Sequence, residues 1–221
     1  MKVSRLNLLT AVVVAALAAL AWAWYPLLPD PVPTHWNLDG AADGWTAKPW
    51  GVWLMPLIAG GTAALLMALP WVAPRGFRLE AGRRAYDLVV LLVVSFLGAL
   101  AVVGWNSAMG GRLGMDRALP FLLGAFFIVL GNYLAKFPRN FFIGIRTPWT
   151  LASETVWNRT HRLGGWLFMA AGLVCVLTGL AGGPLWPGLL ALGLAALVAT
   201  GYSLVLYRRL HGFVSEDTDS G

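Results

Sequence analysis

Charge is scarce in this chain. Asp, Glu, Lys and Arg make up 12% of its 221 residues, against about 25% in a soluble globular domain. Hydrophobic residues make up 58%. Length alone would allow one or two soluble domains; this composition excludes them. Cysteine is nearly missing. The single Cys175 cannot close an internal disulfide, and no zinc-type cysteine spacing exists. It reads as a small apolar residue in the middle of a helix. The apolar runs also lack strand-like alternation. A membrane span must satisfy its backbone hydrogen bonds internally, so these runs read as helices.

What is present is a set of six apolar runs, near residues 6–25, 51–73, 87–109, 118–136, 164–183 and 185–207. Each is about the 20 residues that a bilayer crossing needs, and none carries a charge at its centre. The first follows Lys2 and Arg5, as the core of a signal peptide would. Its apolar core is long, however, and Trp22, Trp24 and Tyr25 stand where small residues precede a cleavage site. It reads as a retained helix.

The net charge of +6 invites a nucleic-acid reading, but its distribution argues otherwise. With alternating spans, thirteen of the 16 Lys and Arg fall on one side: Lys2, Arg5, Arg75, Arg78, Arg83, Arg84, Lys136, Arg139, Arg146, Arg159, Arg162, Arg208 and Arg209. Only Lys48, Arg112 and Arg117 fall on the other. That bias predicts both termini in the cytoplasm. The charge is then a topology signal with some attraction to anionic lipid, and no direct nucleic-acid contact is expected. Aromatics at the ends of the runs (Trp22, Trp24, Tyr25, Trp50, Trp53, Trp105 and Trp186 on the outer side, Trp71, Tyr86, Trp166 and Tyr207 on the inner) read as interfacial belts. The expected fold is an all-α integral membrane protein of six transmembrane helices. A short interfacial helix follows the fourth.

Two polar stretches interrupt this pattern. The first, PLLPDPVPTHWNLDGAADGWTAKPW over 26–50, opens with four prolines that rule out a helix. Its Asn37, Asp39-Gly40 and Asp43-Gly44 are turn formers, giving an extended-then-turn loop on the outer face. His35, Asp39 and Asp43 are ligand types for a divalent ion. Their spacing matches no metal motif, so turn capping is the expectation, with no metal and no cofactor.

The second stretch is GNYLAKFPRNFFIGIRTPWTLASETVWNRTHRLGG, residues 131–165. Pro138 ends the fourth span at Phe137. Gly144 allows close backbone approach. Thr147-Pro148-Trp149-Thr150 reads as a turn, and Ser153 as an N-cap with Glu154 against the helix dipole. A short helix from Glu154 to about Arg162 would place Glu154, Asn158 and His161 on one face, without the two-His spacing of zinc proteases. Asn132 beside it reads as interhelical hydrogen-bonding glue or as part of a site. Asp87, opening the third span, is expected to pair with Arg83 or Arg84. No catalytic constellation emerges, so an enzyme is not expected.

The 131–165 run resembles the SdpI family of bacterial membrane immunity proteins, which carries a GN-Y run, an RN-FIGIRTPWTL loop and an E–VW–TH–GG segment. The 28–50 stretch resembles a domain of unknown function that often precedes it. The resemblance divides the chain into 1–73, a two-helix unit with its outer loop; 74–211, a four-helix SdpI-like unit; and 212–221, an acidic tail read as disordered. It implies a cell-membrane protein giving immunity to a secreted, membrane-active toxic peptide. It also implies signalling through a cytoplasmic winged-helix repressor held at the inner face. His35, Asn37, Asp39, Asp43 and Lys48 would then be candidates to meet toxin. Asn132, Arg139, Asn140, Arg146, Trp149, Thr150, Glu154 and His161 would be candidates to dock the repressor or to hold the fold. Phe137-Pro138 departs from the family pattern, being more apolar. The alternative is a transporter or channel. Against it stand the lack of ionisable residues at mid-span and of an inverted repeat.

Overall fold

A computed structural model describes residues 4–72 and 82–212. Lys2, Arg75, Arg78 and the acidic tail, which enter the charge and domain expectations, lie outside the described residues. Helix α1 spans Arg5–Trp24 and is followed by a hairpin of β1 (Val32–Trp36) and β2 (Ala42–Thr46). Then come α2 (Trp50–Ala68, extended by a tight 3-10 turn over Leu69–Val72), α3 (Arg83–Ala108), α4 (Met115–Leu134), α5 (Pro148–Ala152), α6 (Glu154–Ala181) and α7 (Trp186–His211). Six of these helices are long and apolar enough to cross a bilayer. They match the six expected runs.

Helices α1, α2 and α3 pack around Leu17, Ala21, Val52, Ala59, Val94 and Trp105. Helices α4, α6 and α7 pack around Ala171, Cys175, Leu192 and Ala195, with Phe127 stacked on Phe168 at 5.5 Å. Cys175 is fully buried. The connections define two ends. One carries the hairpin and the α3–α4 and α6–α7 turns. The other carries the start of α1, the starts of α3 and α6, the end of α7, and the 135–153 segment. Ten of the thirteen Lys and Arg among the described residues lie at that second end.

Helices α4 and α6 run antiparallel in close backbone contact. A methyl group on Gly131 would sit 2.6 Å from the Gly165 carbonyl oxygen, and one on Gly124 would sit 2.4 Å from that of Gly172. One turn-pair further, a methyl on Gly179 would meet the Arg117 carbonyl at 2.8 Å. Gly165, Gly172 and Gly179 recur every seventh residue, as do 117, 124 and 131 on the partner helix. Without a hydrophobic drive between helices in lipid, such small-residue contact is a main source of association.

Four sequence expectations are revised. The polar loop over 26–50 holds a two-stranded antiparallel sheet, pairing Val32 with Thr46 and Trp36 with Ala42. Its turn is at Asn37–Ala41, where Gly40 adopts φ 78°, whereas Asp43-Gly44 lies inside β2 at a register shift opposite His35. The short helix after the fourth span is α5, over the residues read as a turn; Glu154–Arg162 instead forms the first turns of α6. No proline or glycine interrupts that sequence until Gly164, and 28 residues make a helix of about 42 Å, longer than the roughly 30 Å hydrocarbon core. The helix therefore extends past the bilayer without a break. Finally, two aromatics of the expected belts are interior. Trp105 is buried beside Trp24, and Tyr86 is buried with its hydroxyl donating to the Leu66 carbonyl at 2.6 Å. Trp22, Trp50, Trp71, Trp166 and Trp186 are exposed, as belts require.

Candidate functional site

The 135–153 segment is wedged between the two helix groups. Phe137 is buried against Val89 of α3 and Trp157 of α6, and its carbonyl accepts the Trp157 indole N–H at 2.9 Å. Pro138 lies against Gly82, where a methyl would meet its ring at 2.6 Å. Of the apolar pair that departs from the family pattern, Phe137 is thus core and Pro138 is half-buried beside it.

Asn140 is fully buried and shapes the loop over 138–143. Its Oδ1 accepts the N–H groups of Phe142 and Ile143, both at 2.8 Å. Its Nδ2 donates to the carbonyls of Pro138 and Ile143 at 2.8 and 3.2 Å. One side chain so replaces the ladder partners that a tight loop cannot supply. Ile143 packs beside Tyr86 and Val90, and Gly144 turns at φ 127°.

His161 closes the loop from α6. Its Nε2 accepts the Ile145 N–H at 3.0 Å and its Nδ1 lies 2.8 Å from the Trp157 carbonyl. An N–H can only donate, so Nε2 is the acceptor and Nδ1 carries the proton, as in a neutral imidazole. The ring stacks on Trp157 at 3.9 Å. Gly144 is required at its position twice over, because φ 127° disfavours an L side chain and a methyl would lie 2.3 Å from His161 Nε2.

Helix α5 is a built turn. Thr147 caps it, accepting from the Thr150 N–H, while Thr150 Oγ1 accepts the Thr147 N–H at 2.8 Å. The Thr150 hydroxyl lies 2.8 Å from the Ile145 carbonyl. Trp149 Nε1 donates to Ser203 Oγ on α7, which in turn donates to the Thr200 carbonyl at 2.6 Å. Arg139 donates to the Leu151 carbonyl at 2.7 Å, and Arg146 to the Phe141 carbonyl.

Asn140, Thr150 and His161 are therefore interior, with their polar atoms committed to the loop itself. Arg146 and Glu154 are exposed, Arg139 and Trp149 half-buried. Asn132 is exposed on α4, not at its contact with α6. The expected common polar face does not form. Glu154 and Asn158 stand at the solvent edge of α6 while His161 is covered by the 144–145 backbone. Glu154 and His161 thus do not converge, and His35 lies at the opposite end. Asp87 pairs with Arg83 at 2.8 Å, and Arg84 is exposed.

At the other end, Asn37 Oδ1 accepts the N–H groups of Asp39 and Ala41, both at 3.0 Å, forming the hairpin turn. His35 and Asp43 face one another across the strands, Nδ1 to Oδ1 at 2.5 Å, both exposed. Asp39 points to solvent. Lys48 is folded back, donating to the Tyr25 carbonyl at 2.7 Å and lying over the Tyr25 ring. Among the described residues no three His, Cys, Asp or Glu converge as a metal site.

Two residues that hold this arrangement are not among the site candidates the sequence singles out. Ser203 sits in an apolar run with no local cue to a partner 54 residues away. Trp157 stands in the E–VW–TH–GG segment, which gives no sign of the loop it packs against.

These features define a multi-pass, α-helical membrane protein with a buried polar knot at one end and a small two-stranded hairpin at the other. Residues 136–203 match the SdpI/YfhL protein family and residues 11–60 match a domain of unknown function, DUF1648. The chain is 24% identical over 208 residues to the protein named Immunity protein SdpI of Bacillus subtilis (strain 168), covering 93% of this chain and 98% of that one. No solved structure matches it. The chain is a multi-pass bacterial membrane protein similar to Immunity protein SdpI along nearly its whole length.

Proposed function

We propose that this chain gives its cell immunity to a membrane-active peptide toxin. The observation that carries the reading is the similarity to Immunity protein SdpI along nearly the whole length of both chains. It is not confined to the apolar spans. The family matches take in the whole hairpin and most of the 131–165 run, where composition alone would not force likeness.

In this reading the hairpin end faces outward and meets toxin. The 135–153 end lies in the cytoplasm, where its excess of Lys and Arg belongs. A winged-helix repressor docks there on the exposed residues Arg146, Glu154, Asn158, Arg159 and Arg162, while Asn140, Thr150 and His161 hold the platform. The test is deletion of the gene followed by challenge with peptides secreted by the same cells and their neighbours. Sensitisation that the intact gene reverses supports immunity. Unchanged survival against all of them refutes it.

A further inference from the structure

The hairpin is not laid on a flat surface. Trp36 of β1 stands on α3, where a methyl on Gly104 would lie 2.8 Å from its ring. The Gly40 turn rests on the first turn of α4, its missing Cβ 2.3 Å from Asp116 Cα. Between these two supports the hairpin bridges a cavity of about 180 Å³. Its walls are Trp36, Met55, Ala101, Trp105, Met115 and Leu119, from β1, α2, α3 and α4, and His35 stands at its edge. The lining is overwhelmingly apolar. Such a volume suits one aromatic ring, since a dry apolar cavity of roughly 150 Å³ can hold benzene. Methionine on two sides gives it adaptable walls.

The surface next to the cavity has the opposite character. Asp43 bonds the lining residue His35, Asp116 follows the lining residue Met115, and Asp39 lies in the turn that rests on Asp116; all three are exposed. Of the cations at this end, Lys48 is folded onto Tyr25 and Arg117 lies against Gly182, while Arg112 is exposed in the α3–α4 turn, one cation beside three carboxylates. An apolar slot with exposed carboxylates beside it complements a cationic group next to an aromatic one. A lipid phosphate would meet the same carboxylates with the wrong sign.

We infer that this cavity is a recognition slot for one aromatic side chain of a cationic peptide, with flanking basic residues over Asp39, Asp43 and Asp116. The inference deepens the immunity reading and rests on it for the peptide's origin. The slot is held open by the Trp36–Gly104 and Gly40–Asp116 contacts and needs no rearrangement of the helices.

The test uses the full-length protein in phosphatidylcholine nanodiscs with two blocked tripeptides, Lys-fluorotryptophan-Lys and Glu-fluorotryptophan-Glu, read by fluorine NMR against empty discs. The lysine peptide is expected to bind saturably, and the glutamate peptide about threefold to fivefold more weakly, the size of exposed charge pairs. Ala101→Leu and, at the half-buried wall, Leu119→Trp should each abolish saturable binding with an unchanged melting temperature. Asp39→Asn with Asp43→Asn should erase the charge preference and leave ring binding. Equal binding of both peptides to the intact protein, or binding that survives both cavity variants, overturns the proposal. So does a co-purified lipid that Ala101→Leu displaces without affecting the peptide. Because purified protein is measured, the outcome separates from the cell assay. Binding without protection in cells refutes immunity alone, and protection without binding refutes the slot alone.

Discussion

The imidazole of His161 accepts the backbone N–H of Ile145 across 3.0 Å, although sixteen residues separate them. This bond joins the 137–147 loop to α6 and is enclosed by Gly144 above and Trp157 below. His161→Phe keeps the stack on Trp157 and strands a buried N–H, at a cost of about 1–3 kcal/mol. His161→Ala loses the ring as well and is expected to cost about 2–5 kcal/mol. Chemical denaturation in detergent, following far-UV helicity, measures both. Equal stability of all three proteins would show that the bond does not hold the loop.

Gly144→Ala tests the same knot from the other side. It keeps His161 but forces a methyl into the ring at a backbone angle suited to glycine. The loop should open, and trypsin should cut at Arg139 or Arg146 faster than in the parent protein. An unchanged digestion rate would contradict the observed packing.

Much of the architecture was legible in the sequence, because bilayer length and hydropathy constrain spans directly. The six runs, the Asp87–Arg83 pair, the Ser153 cap and the buried Cys175 all come from local chemistry. What escaped depends on partners distant in the chain. Asn140 reads equally as a docking residue or as one that holds the fold; its burial is decided by α3 and α6 closing around the loop. His161 looked like the end of a polar face with Glu154, because helical spacing cannot say where a separate loop will lie. The hairpin was hidden by prolines and Asp-Gly pairs that signal turns more strongly than strands. The seven-residue glycine spacing was visible as letters, but its meaning needed the antiparallel partner.

That glycine ladder gives a graded prediction. Gly165→Ala and Gly172→Ala each place a methyl 2.7 Å from a facing carbonyl oxygen and should loosen the α4–α6 pair. Gly193→Ala and Gly201→Ala meet nothing within 4 Å. They should be neutral or slightly stabilising, since alanine is the better helix former by about 1 kcal/mol. Melting temperatures of the four variants in one detergent decide it, and indistinguishable values would refute close α4–α6 contact.

The latch between α5 and α7 is smaller. Ser203→Ala removes the acceptor for Trp149 Nε1 and should cost about 1 kcal/mol. Trp149 should become more accessible to an aqueous quencher when it is the only tryptophan retained of the 12 in the chain. Unaltered quenching would mean that Ser203 does not hold it.

Orientation is tested by single cysteines in a Cys175→Ser background. Asp43→Cys should react with an impermeant maleimide on intact cells, and Asn158→Cys only after the membrane is opened. The reverse pattern would place the hairpin in the cytoplasm and remove it from any secreted peptide.

The most direct test of the account is membrane potential. A strain lacking this gene is exposed to medium conditioned by its peptide-secreting parent while a potential-sensitive dye is followed. Depolarisation that the intact gene prevents, and that a copy carrying Ala101→Leu fails to prevent, is the predicted result. Identical dye traces with and without the gene would contradict it.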